Sequence, residues 1–96
     1  MTVKVSSIFT KPSTLVPTYS NKEMVLLVAR YFSSDKIIEK GRDISEDGLV
    51  ETRTLVFANE ESYDEFKAED VRINNQLARQ IWCKENNVSV ESVIVE

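Results

Sequence analysis

The chain contains no histidine among its 96 residues, and it has a single cysteine, Cys83. The usual zinc and transition-metal ligand sets are therefore absent, and so are the serine and cysteine nucleophiles that depend on a histidine base. One cysteine cannot form an intramolecular disulfide, which fits a reducing cytoplasm. The only glycines, Gly41 and Gly48, cannot make a glycine-rich phosphate-binding loop. We expect no catalytic residue set, no metal and no cofactor.

Long apolar runs and an excess of basic charge are also missing. The longest uninterrupted apolar run, Met24 to Ala29, is far shorter than the roughly 20 residues that cross a bilayer. No basic region followed by an apolar stretch opens the chain, so we expect neither a membrane partner nor a signal peptide. The net charge is −4 and the basic residues are scattered, which argues against nucleic acid as a partner. The expected location is the cytoplasm.

The composition, 42% hydrophobic and 29% charged, is typical of a globular protein, and 96 residues predict one domain spanning 1–96. Thr2 to Thr10 alternate as a strand, and Ser20 to Glu23 have the spacing of a helix capping box. The helix that follows carries an apolar stripe, which comprises Met24, Leu27, Val28 and Tyr31 and is widened by Val25 and Phe32. Lys36 to Ile44 is a charged second strand, which we place at a sheet edge.

Ser45 to Gly48 form a turn, because Asp-Gly supplies the positive φ of a tight reversal, and Leu49 to Phe57 form the third strand. A second capping box, Ser62 to Glu65, opens a helical segment that reaches Asn86 and should break near Glu69 to Val71. Its apolar stripe comprises Phe66, Ile73, Leu77, Ala78, Ile81 and Trp82. Asn86-Asn87 is a plausible left-handed cap, and Val88 to Val95 form the last strand.

The predicted order, β-α-β-β-α-β, is that of an α+β, ferredoxin-like fold. Right-handed crossovers place strands one and three in the centre of a four-stranded antiparallel sheet, with the helices on one face. The other sheet face must then be covered by something else or be exposed to water.

The third strand offers two sets of side chains for the helix-covered face. The uncharged even set, Val50, Thr52, Thr54 and Val56, suits a core, as do the even positions of the last strand. The odd sets mix large apolar groups with charges and are assigned to the open face. This candidate face for a ligand or a dimer comprises Leu49, Glu51, Arg53, Leu55, Phe57, Glu91, Val93 and Val95. Glu51 and Arg53 lie two apart on one strand and can pair directly.

Two interpretations of this face stay open. In the first, the protein is a homodimeric accessory or interaction protein without catalytic machinery. In the second, it is a cofactor-independent monooxygenase- or isomerase-like enzyme that holds a small aromatic or lipophilic molecule in a cavity on the open face. A cavity of roughly 300 Å³ or more would favour the second interpretation, and a face packed flush against a second copy would favour the first.

The stretch from Phe57 to Phe66, followed by a longer helix and a last strand, resembles the dimeric α+β barrel superfamily, in particular the antibiotic-biosynthesis-monooxygenase-like proteins. The matching features are an aromatic residue at the end of the third strand, Phe57, and an acidic, serine-containing helix start, Glu60 to Glu65. The resemblance implies a homodimer whose sheets pack face to face, in some members around an apolar substrate or haem. Because the chain has no histidine, it departs from members that use a histidine as haem ligand or acid–base residue.

Overall fold

The computed structural model describes residues 1–96 and contains four strands and three helices. They are β1 (Val3–Thr10), α1 (Lys22–Ser33), β2 (Ile37–Ile44), β3 (Val50–Phe57), α2 (Glu60–Lys67), α3 (Asp70–Asn86) and β4 (Ser89–Val95). The strands form one sheet in the order β2-β3-β1-β4, and all neighbours are antiparallel. The predicted α+β, ferredoxin-like fold is confirmed, with β1 and β3 in the centre, β2 at an edge and the helices on one face.

Asparagine side chains cap the N-termini of the first two helices. The cap of α1 lies one residue after the predicted Ser20, and the cap of α2 lies three residues before the predicted Ser62. The Asn21 side chain accepts from the backbone N–H of Met24, and the Asn59 side chain accepts from that of Ser62. Asparagine satisfies an otherwise unpaired helical N–H as well as serine does. The predicted caps at Ser20 and Ser62 were therefore wrong in position, although the helices themselves form.

The break between α2 and α3 falls at Ala68 and Glu69, as predicted. Glu69 accepts hydrogen bonds from the Tyr31 hydroxyl at 2.7 Å and from Arg30 at 3.1 Å, which ties the break to α1. Burial and then the Glu69 carboxylate raise the pKa of Tyr31. α3 ends where Asn87 takes the left-handed conformation (φ 56°) that the sequence predicted.

A tight turn joins β2 to β3. The Ser45 N–H donates to the Val50 carbonyl, and Gly48 has φ 73°, which favours glycine. β2 contains one irregularity, because Ile37 pairs with Phe57 while Glu39 pairs with the next residue along, Val56. Ile38 is thus an extra residue, and the strand has a β-bulge at this point.

The main core lies between the sheet and α1 and α2. Its buried residues are Val3, Leu27, Tyr31, Ile37, Phe57, Tyr63 and Phe66. The ring centroid of Phe57 lies 5.1 Å from those of both Tyr63 and Phe66, so the aromatic at the end of β3 is the centre of this cluster. The predicted α1 stripe is inward, but Val25 and Phe32 are exposed and do not widen it.

The predicted facing of β3 was wrong. Phe57 is 0% exposed and Leu55 packs on the core, so the odd positions point toward the helices. The even positions, from Val50 to Val56, lie on the open face. The prediction placed the uncharged even set in the core. Burial of the Phe57 ring stabilises the fold by about 1.5–3 kcal/mol, and this gain turns the odd positions inward at that end of the strand. At the other end the charges are accommodated because Glu51 and Arg53 pair with each other.

The predicted inward stripe was wrong at the exposed α3 residues Ile73, Leu77, Ala78 and Ile81, whereas Phe66 lies in the main core and Trp82 packs against the cluster of Phe9, Cys83 and Val88. Ile73, Leu77 and Ile81 are exposed, and the residues that turn inward at the same four-residue spacing are Asn75, Arg79 and Cys83. The two sets lie on opposite sides of the helix. α3 therefore presents a polar face to the sheet and an apolar stripe to solvent.

The open face of the sheet is rich in β-branched side chains. Cross-strand pairing places Ile8, Thr52, Thr54, Val56, Val93 and Val95 there. None of the helices combines the length and the apolar character needed to cross a membrane.

Candidate functional site

A cavity of about 490 Å³ lies between the sheet, α1, α3 and the connection that precedes α1. It is on the helix-covered side of the sheet, beside the main core, and not on the open face where the sequence analysis placed it. Its apolar lining comprises Val5, Phe9, Tyr19, Met24, Val25, Val28 and Leu55, and its polar lining includes Ser7, Asn75, Lys40, Arg42, Arg53 and Arg79. A small aromatic or lipophilic molecule fits a cavity of this size.

Glu51 organises the charges beside this cavity. Its side chain is 6% exposed and accepts from Arg53 at 2.5 Å and from Arg42 at 3.2 and 3.3 Å. Arg42 lies opposite Arg53 in the β2–β3 pair, so both guanidiniums reach the same carboxylate. Burial raises the pKa of Glu51, but the hydrogen bonds and charges of Arg53 and Arg42 outweigh burial and hold the pKa below its ordinary value. Glu51 is therefore an ionised anchor and a poor general base.

Arg53 connects this cluster to the segment before α1. Besides Glu51, it donates to the backbone carbonyl of Tyr19. The Tyr19 hydroxyl donates to the Asn75 side chain at 2.9 Å, and the Tyr19 ring contacts Trp82 with centroids 5.4 Å apart. The long connection from β1 to α1 is thereby held over the sheet, and it supplies one wall of the cavity.

Arg79 and Phe9 form the inner end of the cavity. Phe9 is buried, and the guanidinium carbons of Arg53 and Arg79 lie 5.3 and 5.5 Å from its ring centroid. Both distances are within the range of a cation–π contact. The Nε of Arg79 is buried and has no hydrogen-bond partner. Burial is the main cause that lowers the pKa of Arg79.

The residues predicted for one face are divided between two. Glu51, Arg53, Leu55 and Phe57 belong to the helix side, where Arg53 and Leu55 line the cavity, Glu51 holds Arg53 and Phe57 lies in the main core. Glu91, Val93 and Val95 belong to the open face, opposite Ile8, Ser6 and Lys4. Leu49 lies just before β3 and is half-buried, and its carbonyl accepts from the Lys11 N–H at 2.8 Å.

Tyr19, Asn75 and Arg79 were not predicted as site residues from the sequence. The signal available was the polar pair Asn75 and Arg79 at four-residue spacing on α3, opposite the apolar repeat of Ile73, Leu77 and Ile81. Cys83 is buried, and burial raises the pKa of its thiol, so it acts as an apolar filler beside Phe9. No three histidine, cysteine, aspartate or glutamate side chains come together as a metal-binding group.

No protein-family model matches the sequence, and no curated protein matches it. The fold is nevertheless shared with solved structures. A point mutant of SnoaB, a cofactor-independent oxygenase from Streptomyces nogalater, superposes with a TM-score of 0.66 at 10% identity, covering 99% of this chain and 91% of that chain. A second structure of SnoaB gives a TM-score of 0.61 with the same identity and coverage.

Rv0793 from Mycobacterium tuberculosis has a TM-score of 0.50 and 13% identity, over 97% of this chain and 93% of its own. Each of these likenesses spans nearly the whole chain, so it concerns the complete βαββαβ arrangement and not an isolated motif. These likenesses show that the fold predicted from the sequence is shared with these solved structures.

Proposed function

We propose that the protein binds a small aromatic or lipophilic molecule in the cavity between the sheet and helices α1 and α3, and acts on it as a cofactor-independent oxygenase-like enzyme. The observation that carries the proposal is the cavity itself, whose volume of about 490 Å³ and largely apolar lining suit a ligand of that kind. The fold shared with SnoaB, described as a cofactor-independent oxygenase, supports the class of activity.

In an oxygenase without a cofactor, the electrons for O₂ must come from the substrate. The substrate loses a proton to water and becomes a carbanion, and the carbanion forms a carbon–oxygen bond with O₂. The resulting peroxide anion takes up a proton and releases water, which leaves a carbonyl group on the substrate. A protein assists this step by stabilising the negative charge that develops on the substrate. Arg53 and Arg79 are placed to do so, and Glu51 fixes the position of Arg53. The chain thus contributes electrostatics and an apolar lining, and the substrate must itself be readily deprotonated.

The cavity is tested by the binding of a neutral fluorescent probe, N-phenyl-1-naphthylamine. Met24→Trp should weaken binding at least roughly tenfold, because the indole would fill space beside the apolar lining. The matched control is Leu26→Trp, which makes the same kind of change on the exposed side of the same helix. A probe that fails to bind the wild type, or that binds both variants equally, contradicts the proposal. Oxygen uptake that depends on an added acidic aromatic compound and falls in Met24→Trp would support the enzymatic part.

A second proposal concerns the open face, which we infer to be the contact surface of a homodimer. Ile8, Val56, Val93 and Val95 give this face four aliphatic side chains around the hydroxyl pair of Ser6 and Thr54. Sedimentation should then show a dimer at micromolar concentration, and Val56→Asp should yield an 11 kDa monomer. A monomeric wild type contradicts the proposal. Loss of the dimer in Leu77→Asp but not in Val56→Asp would move the interface to the apolar stripe of α3.

The free, buried Cys83 is consistent with a cytoplasmic location.

A further inference from the structure

Arg79 is a cationic side chain that the protein does not pair. It projects from the inward side of α3, lines the cavity, and has its Nε buried without a hydrogen-bond acceptor. It forms none of the salt bridges of the molecule, which join other residues. Arg79 as a whole is half-buried, but an N–H donor that is removed from water without an acceptor is destabilising, so its Nε lacks an interaction that a ligand could supply.

The contact with Phe9 does not account for this placement. A cation–π contact acts on the face of the guanidinium, and it leaves the in-plane N–H donors unsatisfied. Phe9 is also shared, since Arg53 lies over the same ring. The guanidiniums of Arg53 and Arg79 repel each other over this ring. Without a bound anion, the charged form of Arg79 is therefore destabilised.

The charge balance around the cavity points the same way. Four cationic side chains line it, namely Lys40, Arg42, Arg53 and Arg79, and no carboxylate does. Glu51, the adjacent carboxylate, is already bonded to Arg42 and Arg53. This basic lining belongs to a protein whose net charge is −4, so it is a local feature and not a reflection of the overall composition.

We propose that the ligand of this cavity is a carboxylic acid with a compact apolar body, and that Arg79 donates to its carboxylate. The apolar body would lie against Met24, Val28 and Leu55, on the side of the cavity that adjoins the main core. A guanidinium and a carboxylate match in geometry and form charge-assisted hydrogen bonds, which are stronger than neutral ones. This inference rests on the proposed function, because it assigns a substrate class to the same cavity.

The test compares naphthalene-2-carboxylate with naphthalene-2-methanol by isothermal titration calorimetry. The two compounds share the ring system and differ in the charged group. The wild type should bind the acid roughly ten to a hundred times more tightly than the alcohol. Arg79→Met should abolish this preference by weakening the acid alone. Arg72→Met is the matched control, since it removes an arginine from the same helix that does not line the cavity, and it should keep the preference.

Arg79→Lys provides a second variant, which retains the charge without the planar fork, and it should keep part of the preference. The inference is overturned if the wild type binds acid and alcohol equally, if Arg79→Met keeps the preference, or if Arg72→Met loses it to the same extent. If the acid and the alcohol bind the cavity equally, the proposal that the ligand is a carboxylic acid fails, but the proposed function does not. If neither compound nor the neutral probe binds, the proposed function itself fails.

Discussion

The two ends of the space between sheet and helices are built from the same strands and are chemically opposite. At one end, Phe57 of β3 and Val3 of β1 pair across the sheet and are buried under α1 and α2. At the other end, Glu51 of β3 pairs with Phe9 of β1, and arginines take the place of aliphatic side chains under α3. The first end can be called the aromatic end and the second the charged end.

The difference shows how one strand face serves two purposes. At the charged end a small apolar cluster of Phe9, Cys83 and Val88 forms without β3, so this half of the strand can hold charges beside the cavity. The aromatic end should therefore determine stability, and the charged end should determine what the cavity binds. Substitutions at the two ends should separate these effects.

The largest effect is expected at the aromatic end. Phe57→Ala removes a fully buried ring from between Tyr63 and Phe66 and should lower the free energy of unfolding by about 3–5 kcal/mol. Urea denaturation measures the change. Ile81→Ala, at an exposed position of α3, is the control and should change stability by less than about 1 kcal/mol. Similar losses in both variants would mean that the aromatic end is not the stabilising one.

A smaller loss is expected when one partner of the ion pair is removed. Arg53→Met should lower the free energy of unfolding by about 2 kcal/mol, because Glu51 stays buried and keeps only Arg42. The double variant Glu51→Gln, Arg53→Met should be more stable than Arg53→Met, since it leaves no buried carboxylate. A double-mutant cycle by urea denaturation measures this coupling, and strictly additive losses would contradict it.

At Arg79 the expected sign is reversed. Arg79→Met should raise the free energy of unfolding by about 1 kcal/mol, because it removes a half-buried cation whose Nε is buried without an acceptor, at the expense of one cation–π contact. Thermal unfolding without added ligand measures the gain. Arg30→Met removes an exposed arginine that is paired with Glu69, and should give no such gain. A clear destabilisation by Arg79→Met would indicate a structural role for this side chain.

The smallest effect is expected in the pH dependence of stability. Since Arg53 and Arg42 hold the pKa of Glu51 below its ordinary value of 4.5, the unfolded chain binds the proton more readily than the folded one. This carboxylate therefore stabilises the fold above pH 4.5, and that contribution is lost as the pH falls through the lowered pKa. Unfolding between pH 6 and 3 should show a shallower acid decline in Glu51→Gln than in the wild type. Glu39→Gln, at an exposed position of β2, should follow the wild type.

The fold could be predicted from the sequence because its signals are local. Alternation in β1, the Asp-Gly turn and the break at Glu69 each specify an element without knowledge of the partners. Sequence order and the handedness of crossovers then leave few arrangements, and βαββαβ was the one found.

The facing of β3 could not be predicted, because it depends on the register between strands. Val3 pairs with Phe57, and this register places the odd positions of both strands under the helices. The rule that charges avoid cores favoured the opposite facing, and it failed because Glu51 and Arg53 compensate each other and border a cavity. The inward side of α3 was missed for the same reason, as Asn75 and Arg79 face polar partners and a cavity and not an apolar core.

The bulge in β2 has a consequence for changes in the length of the chain. Ile38 is the extra residue, so Ile37 and Lys40 both face the helices although three positions separate them. Deletion of Ile38 would restore regular pairing and leave Lys40 and Arg42 on the cavity side. Deletion of Lys40 would also absorb the bulge, because the turn keeps Arg42 opposite Arg53, but it would place Glu39 at the cavity position of Lys40. In the evolution or engineering of this fold, position 38 is therefore where β2 can lose a residue while every remaining side chain keeps its partner in β3.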